Sequence, residues 1–134
     1  MTLDDAFPVV DPGVAPLGAR ILAQVKSVKK VSDSGIILVE ETHDTEKWNT
    51  QVAKIIKLGP LAFKSRETGK DWIEGVWAKE GEYVRVPRWG GDRWVVPLNK
   101  EDNNDEVAYF VIFNDHEVIG KITGDPLAIK NFIL

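Results

Sequence analysis

Short apolar runs alternate with turn residues along most of the chain. Clusters of Gly, Pro, Asn and Asp interrupt the sequence at short intervals, and β-branched or aromatic residues fill the stretches between them. The predicted strands are residues 20–25, 51–58, 83–86, 93–96, 107–113 and 117–122. Short strands at this spacing favour an antiparallel barrel or sandwich, so the pattern predicts an all-β fold.

One apolar run breaks this alternation. Gly35–Val39 reads G-I-I-L-V, and the residues around it are small, charged or hydroxylated. A strand with one face in water alternates, so four consecutive apolar residues need either burial on both faces or a partner. The residues alone support two interpretations equally. One is a core hairpin that turns at residues 33–35, and the other is a loop whose apolar centre docks on another protein.

Composition narrows the class of protein. The chain has 134 residues with 43% hydrophobic and 28% charged side chains, which suits one globular domain. The absence of cysteine excludes disulfides and thiolate metal sites and fits a reducing cytoplasm. The net charge of -4 gives no general attraction to nucleic acid or to an anionic membrane. We expect no signal peptide in the acidic, proline-interrupted N-terminus, and the longest apolar run, residues 107–113, is far below the ~20 residues of a membrane span.

Two stretches have an incomplete resemblance to metal sites. His116-Glu117 begins like a zinc-protease helix, but the second histidine is missing, which favours a histidine in a surface turn. Residues 101–106 resemble a calcium loop in composition only, because the central glycine and the spaced terminal glutamate are missing. A solvated acidic loop is the better interpretation. The sequence has no phosphate-binding glycine loop and no nucleophile elbow, so we predict no catalytic residue, metal or cofactor.

Residues 83–94 interleave three arginines with three aromatic residues. Small barrels that bind single-stranded nucleic acid use aromatic side chains for stacking and arginines for the backbone. Such a platform would consist of Trp72, Trp89, Trp94, Arg85, Arg88 and Arg93. The alternative is a hairpin with its aromatic residues packed inward and its arginines outward, and the acidic net charge favours this alternative.

Five ordered segments resemble the motifs of the GroES-type co-chaperonins. The family patterns are P-L-x-D-R-V-L-V, G-x-V-x-A-V-G-P, K-x-G-D-x-V, P-x-Y-G-G and F-x-D-x-D-I-L-G-K. They correspond to residues 16–22, 51–60, 79–84, 86–92 and 109–121 of this chain. The chain departs from these motifs where Glu82 replaces aspartate, Trp89 replaces tyrosine, and His116-Glu117 replaces an acidic turn. Divergent, enlarged members of this kind include virus-encoded ones.

The resemblance implies a partly open antiparallel β-barrel with a long mobile loop and a roof hairpin. The implied boundaries are an N-terminal arm (1–15), a barrel (16–123) and a C-terminal tail (124–134). Within the barrel, the mobile loop covers about 29–50 and the roof hairpin about 60–77. In this hairpin, Thr68-Gly69 suits a tight turn between two short strands, with Phe63 and Trp72 facing each other. The mobile loop of the family carries a glycine and an apolar tripeptide that dock on the large chaperonin. These positions and the residue after them are Gly35, Ile36, Ile37, Leu38 and Val39.

The implied function is that of a co-chaperonin. Subunits would assemble into a ring, a heptamer if the family pattern holds, that caps a GroEL-type chaperonin and encloses substrate polypeptides in the cytoplasm. ATP and ADP would bind to the partner chaperonin, and neither nucleic acid nor membrane would be a partner. A further interpretation, a structural ring subunit with no chaperonin partner, leaves the apolar run at Ile36–Val39 unexplained.

Overall fold

The computed structural model describes residues 2–27, 51–88, 91–98 and 107–129. Its elements, in chain order, are α1 (Leu3–Ala6), β1 (Arg20–Val25), β2 (Val52–Leu58), β3 (Tyr83–Arg85), β4 (Asp92–Pro97), β5 (Val107–Asn114), a 3-10 turn (Asp115–Glu117) and β6 (Gly120–Lys121). These described ranges contain no apolar helix of bilayer-spanning length. The all-β prediction is confirmed.

The strands form a six-stranded antiparallel sheet in the order β4-β5-β1-β2-β3-β6. The central strand β1 pairs with β5 from Arg20↔Asn114 to Val25↔Tyr109. Its pairing with β2 contains a β-bulge between Leu22 and Ala23. Within the described residues β4 and β6 each pair on one side only, which agrees with the partly open arrangement that was predicted.

The main core covers one face of the sheet. Inward-facing side chains of β1, β2, β3 and β5 meet residues from the connection between β2 and β3. The buried members are Ile21, Ala23, Val25, Ala53, Ile55, Ala62, Phe63, Ala78, Val84, Val86, Val111, Phe113 and Val118. The alternation of Ile21, Ala23 and Val25 along β1 is that of a strand with one face toward a core.

A second core covers the opposite face of β1 and β5. Leu22, Ala108 and Phe110 are buried there, and Trp94 packs against them. As a result, β1 is buried from Ile21 to Val25 on both faces. Strands covered on both sides are apolar without alternation, as Ile21–Ala23 are, and Gln24 is the buried polar exception.

The N-terminal residues lie against the sheet. Thr2 and Asp5 form a reciprocal capping box that starts α1. Farther along, the Gln24 side-chain amide donates to the Pro8 carbonyl at 2.7 Å, and Trp94 Nε1 donates to the Pro12 carbonyl at 3.0 Å. The arm that the sequence predicted therefore includes a short helix and is attached to β1 and β4. The boundaries at residues 15, 16, 123 and 124 stay predictions.

Candidate functional site

The β1–β2 connection, residues 28–50, leaves and re-enters the sheet at neighbouring positions. Val25 pairs with Ala53, and the Lys26 N–H donates to the Val52 carbonyl at 2.9 Å. The five predicted docking residues, Gly35–Val39, belong to this connection and lie outside the described residues. Their assignment to docking therefore stays a prediction.

Hydrogen bonds fix the residues at both ends of the β1–β2 connection. Before it, the Ser27 N–H donates to the carbonyl of Ala6, the last residue of α1, at 2.9 Å. After it, the Gln51 carbonyl accepts from the Val86 N–H at 2.8 Å, and Gln51 Oε1 accepts from the Arg85 guanidinium at 3.2 Å. The connection thus starts from one fixed residue and ends at another.

A small apolar cluster lies beside these fixed residues, and we call it the root cluster. Its buried members are Ala6, Phe7 and Val52, and its half-buried members are Tyr83, Ile122, Leu127 and Ile129. The Phe7 and Tyr83 rings lie 5.1 Å apart at 59°. Described residues of the N-terminal arm and of the C-terminal tail therefore pack where β2 begins. The described part of the C-terminal tail thus packs on its own subunit.

The predicted hairpin in residues 60–77 folds back on itself as expected. The Phe63 and Trp72 rings meet edge to face at 5.5 Å, and the Trp72 N–H donates to the Phe63 carbonyl at 3.0 Å. This facing pair confirms the prediction, and Gly69 takes a positive φ of 71° in the turn. Strand pairing is limited to the bridge Lys64↔Asp71, however, in place of two short strands. Phe63 has a positive φ of 60°, which interrupts extended backbone at that residue.

The aromatic residues of the possible nucleic-acid platform pack in separate places. Trp72 contacts the main core, where it meets Phe63 and Trp77. Trp94 stacks on Phe110 in the second core, with ring centroids 5.9 Å apart at 25°. Trp89 lies outside the described residues. The described tryptophans thus stabilise the subunit, and they do not form one stacking surface.

Two arginines of the same platform serve as structural donors. Arg93 donates to the Pro87 carbonyl at 3.0 Å, and burial lowers the pKa of its guanidinium from the ordinary value. Arg85 donates to Gln51 at the end of the β1–β2 connection. The expectation that the hairpin arginines point outward is therefore wrong for Arg93, which is half-buried. Nothing in the described part of the chain favours nucleic-acid binding.

The histidine and the acidic residues do not form a metal site where they are described. His116 is exposed in the 3-10 turn after β5, as the sequence predicted. Among the described residues, no three His, Asp or Glu side chains lie close enough together to hold a metal ion. The acidic residues 101–106 lie outside the described ranges.

Two of the sequence motifs meet through an ion pair between β6 and the turn before β3. The Glu82 carboxylate pairs with the Lys121 ammonium and also accepts from the Lys79 N–H at 2.7 Å. The Lys121 hydrogen bond, together with the Lys79 N–H, lowers the pKa of Glu82 below its ordinary value of 4.5. Glu82 replaces an aspartate of the family motif, and its longer side chain makes both contacts.

Two motif glycines lie where no side chain fits. A Cβ at Gly59 would overlap the Gly18 and Arg20 carbonyl oxygens, the latter at 2.6 Å. A Cβ at Gly91 would lie 2.7 Å from the Ile112 carbonyl oxygen, and Gly91 also has a positive φ of 81°. These two motif positions thus have a steric reason for glycine.

Comparisons with known proteins agree with the fold and the motifs, which define a small all-β subunit with a long β1–β2 connection. No family model matches the chain. The Co-chaperonin GroES of Methylacidiphilum infernorum (isolate V4) is 35% identical over 83 residues, which are 62% of this chain and 76% of that protein. This identity and coverage show that the chain belongs to the GroES co-chaperonin family. That it is an enlarged or virus-encoded member stays a prediction.

Proposed function

We propose that the chain is the subunit of a ring-shaped co-chaperonin that docks on a GroEL-type chaperonin and encloses substrate polypeptides. The 35% identity to a co-chaperonin over 83 residues carries this proposal. The six-stranded antiparallel sheet and the long β1–β2 connection support it. In this proposal the ring is a heptamer, and it acts in the cytoplasm.

The docking residues of the proposal are Gly35 and the apolar residues Ile36–Val39. Burying three large aliphatic side chains on the partner contributes roughly 1.5–3 kcal/mol each. Ordering the backbone around them costs about 1–2 kcal/mol per residue, which nearly cancels that gain. A single subunit therefore binds weakly. A ring that presents several such segments binds tightly, because one bound segment raises the effective concentration of the others. The ring can still dissociate from the chaperonin, since each single contact is weak.

The proposed subunit has no catalytic residues and binds no nucleotide. In this proposal ATP and ADP bind to the partner chaperonin. The ring acts by closing a chamber in which a substrate polypeptide folds.

Native mass spectrometry tests the proposal directly. We expect the protein alone to give the mass of a ring, seven subunits in the proposed form. With a GroEL-type chaperonin and ADP or ATP, we expect one further mass that equals ring plus chaperonin. A monomer at micromolar concentration, or a ring that binds no chaperonin with either nucleotide, contradicts the proposal.

A further inference from the structure

Residues from both ends of the chain meet at the start and the end of the β1–β2 connection. The root cluster joins Ala6 and Phe7 from the N-terminal arm with Leu127 and Ile129 from the C-terminal tail. Val52, the first residue of β2, is buried between them. Residues this far apart in sequence come together only through folding, so no local sequence pattern indicates the cluster.

Lys26 connects the C-terminal tail to the last residues before the connection. Its ammonium donates to the carbonyl oxygens of Leu127 at 3.2 Å, of Ile129 at 3.3 Å and of Pro126 at 3.5 Å. Three carbonyl oxygens of the tail thus lie within hydrogen-bonding reach of one ammonium. The next residue, Ser27, is tied to the N-terminal arm through its N–H and the Ala6 carbonyl.

We propose that the root cluster, with Lys26, positions the β1–β2 connection and thereby raises the affinity of each subunit for the chaperonin. This inference rests on the proposed function. Residues that are already fixed in the free ring do not have to be ordered when the connection docks. Each further residue that must be ordered on docking weakens binding by about fivefold to thirtyfold. If Lys26 and Ser27 were loose in the free ring, docking would have to order these two residues.

Thermodynamic linkage adds a reciprocal effect. If an ordered root cluster favours docking, docking must stabilise the root cluster to the same extent. The Ser27 N–H reports on this, because its acceptor is the Ala6 carbonyl of the cluster. We expect the Ser27 amide to exchange with solvent more slowly in the complex than in the free ring.

Two variants test the positioning role. Phe7→Ala removes the buried ring that contacts Tyr83, and Lys26→Met removes the ammonium and keeps the length of the side chain. We expect either variant to weaken binding to the chaperonin in ATP by at least about fivefold and to speed exchange at Ser27. Ring mass and exchange at Ala23, in the middle of β1, should not change. Matched controls are Val9→Ala in the exposed part of the arm and Lys57→Met on the exposed side of β2.

The outcomes separate this inference from the proposed function. The proposed function stands if the wild-type ring docks and Ile37→Asp abolishes docking. The positioning role is nevertheless wrong if Phe7→Ala and Lys26→Met both speed Ser27 exchange and still bind the chaperonin as tightly as wild type does. If the wild-type ring binds no chaperonin, the proposed function fails and this inference fails with it. If Phe7→Ala does not assemble into rings, Lys26→Met decides the question. Weaker binding in the controls as well would also overturn the inference, because the effect would then not come from the root cluster.

Discussion

The Asp115 carboxylate accepts a hydrogen bond from the backbone N–H of Phe63 at 2.8 Å. Its other oxygen accepts from the His116 N–H at 2.7 Å, and the Asp115 side chain is buried. Phe63 is fully buried and has a φ of 60°, a conformation that a bulky side chain adopts only when its surroundings hold it there. The turn after β5 thus fixes the base of the hairpin that follows β2.

Removing the Asp115 acceptor should destabilise the subunit. Asp115→Ala leaves the buried Phe63 N–H without its acceptor, and we expect a loss of about 2–4 kcal/mol in the free energy of unfolding. Asp115→Asn keeps one acceptor oxygen for two N–H donors, so its loss should be smaller. Urea unfolding measures both, with the exposed Asp92→Asn as the control that should stay within about 0.5 kcal/mol of wild type. Equal stability of Asp115→Ala and wild type would show that Phe63 keeps its conformation without this carboxylate.

A methyl group at Gly59 should be far more damaging than one at Gly124. The added Cβ at Gly59 meets two backbone carbonyls that cannot rotate away, so we expect Gly59→Ala to cost at least about 1–3 kcal/mol of stability. A Cβ at Gly124 has no atom within 4 Å, so Gly124→Ala is a matched control with no expected loss. Thermal unfolding of the two variants compares them directly. A Gly59→Ala protein as stable as Gly124→Ala would mean that the Gly18 and Arg20 backbone moves away at little cost.

The Glu82–Lys121 ion pair should give an acid-dependent contribution to stability. The pKa of Glu82 is lowered in the folded protein, chiefly by Lys121, so its contribution is fully present above the ordinary value of 4.5. It is lost as the pH falls through the lowered pKa. We expect Glu82→Gln to lower Tm at neutral pH, and the difference from wild type to shrink on acidification below pH 4.5. Exposed Glu74→Gln is the control, and a Tm difference that stays constant with pH would contradict the assignment.

The sequence predicted the strands well because their signals are local. β1 spans the predicted residues 20–25. β2, β3 and β5 differ from the predicted ranges by one residue at one end, and β4 is longer than predicted by one residue at each end. The last strand was predicted too long, because Asp115–Glu117 forms a 3-10 turn and only Gly120–Lys121 pairs with β3. On either side of it, the Ile119 N–H donates to the Arg85 carbonyl at 3.0 Å and the Ile122 N–H donates to the Tyr83 carbonyl at 2.8 Å.

The long-range contacts were not predictable in the same way. Asp115 and Phe63 are 52 residues apart, and nothing in the sequence near either one indicates the other. The contacts of Lys26 with the C-terminal tail are of the same kind. The Trp/Arg stretch shows the opposite case. Its side chains are adjacent in sequence, but they lie on different faces of the sheet. Residues 35–39 fall outside the described residues, so their docking role rests on the family resemblance.

The packing of Trp94 and the use of Arg93 lead to a prediction about nucleic acid. Trp94 is stacked on Phe110, and Arg93 donates to a backbone carbonyl, so both side chains already have partners within the subunit. We expect no salt-sensitive binding to single-stranded DNA or RNA in fluorescence anisotropy. Trp94→Phe keeps the stacked ring and should behave as wild type does. A micromolar Kd that weakens steeply with added salt would support the nucleic-acid interpretation.

The most direct test of the docking residues is Ile37→Asp. A charge buried without a partner costs several kcal/mol, and the lost aliphatic contact adds about 1.5–3 kcal/mol. Every subunit of a ring carries the change, so the penalty multiplies through avidity. A docking residue has its apolar partner on the chaperonin, so the same charge should cost the free ring almost nothing. We expect unchanged Tm and ring mass, with chaperonin binding abolished in ATP or ADP.

The control for this substitution is Val9→Asp, which places the same charge at an apolar residue that is 92% exposed in the N-terminal arm. It should alter neither Tm nor docking. A loss of chaperonin binding in Ile37→Asp would then be caused by the position of the charge and not by the added charge itself. If Ile37→Asp unfolds the subunit or breaks the ring, Ile36–Val39 is a core strand, which was the other interpretation of this run. If the variant ring still docks as tightly as wild type, the apolar run is not the docking element. Native mass spectrometry and thermal unfolding on the same samples distinguish these results, because a core strand changes both and a docking residue changes only the mass of the complex.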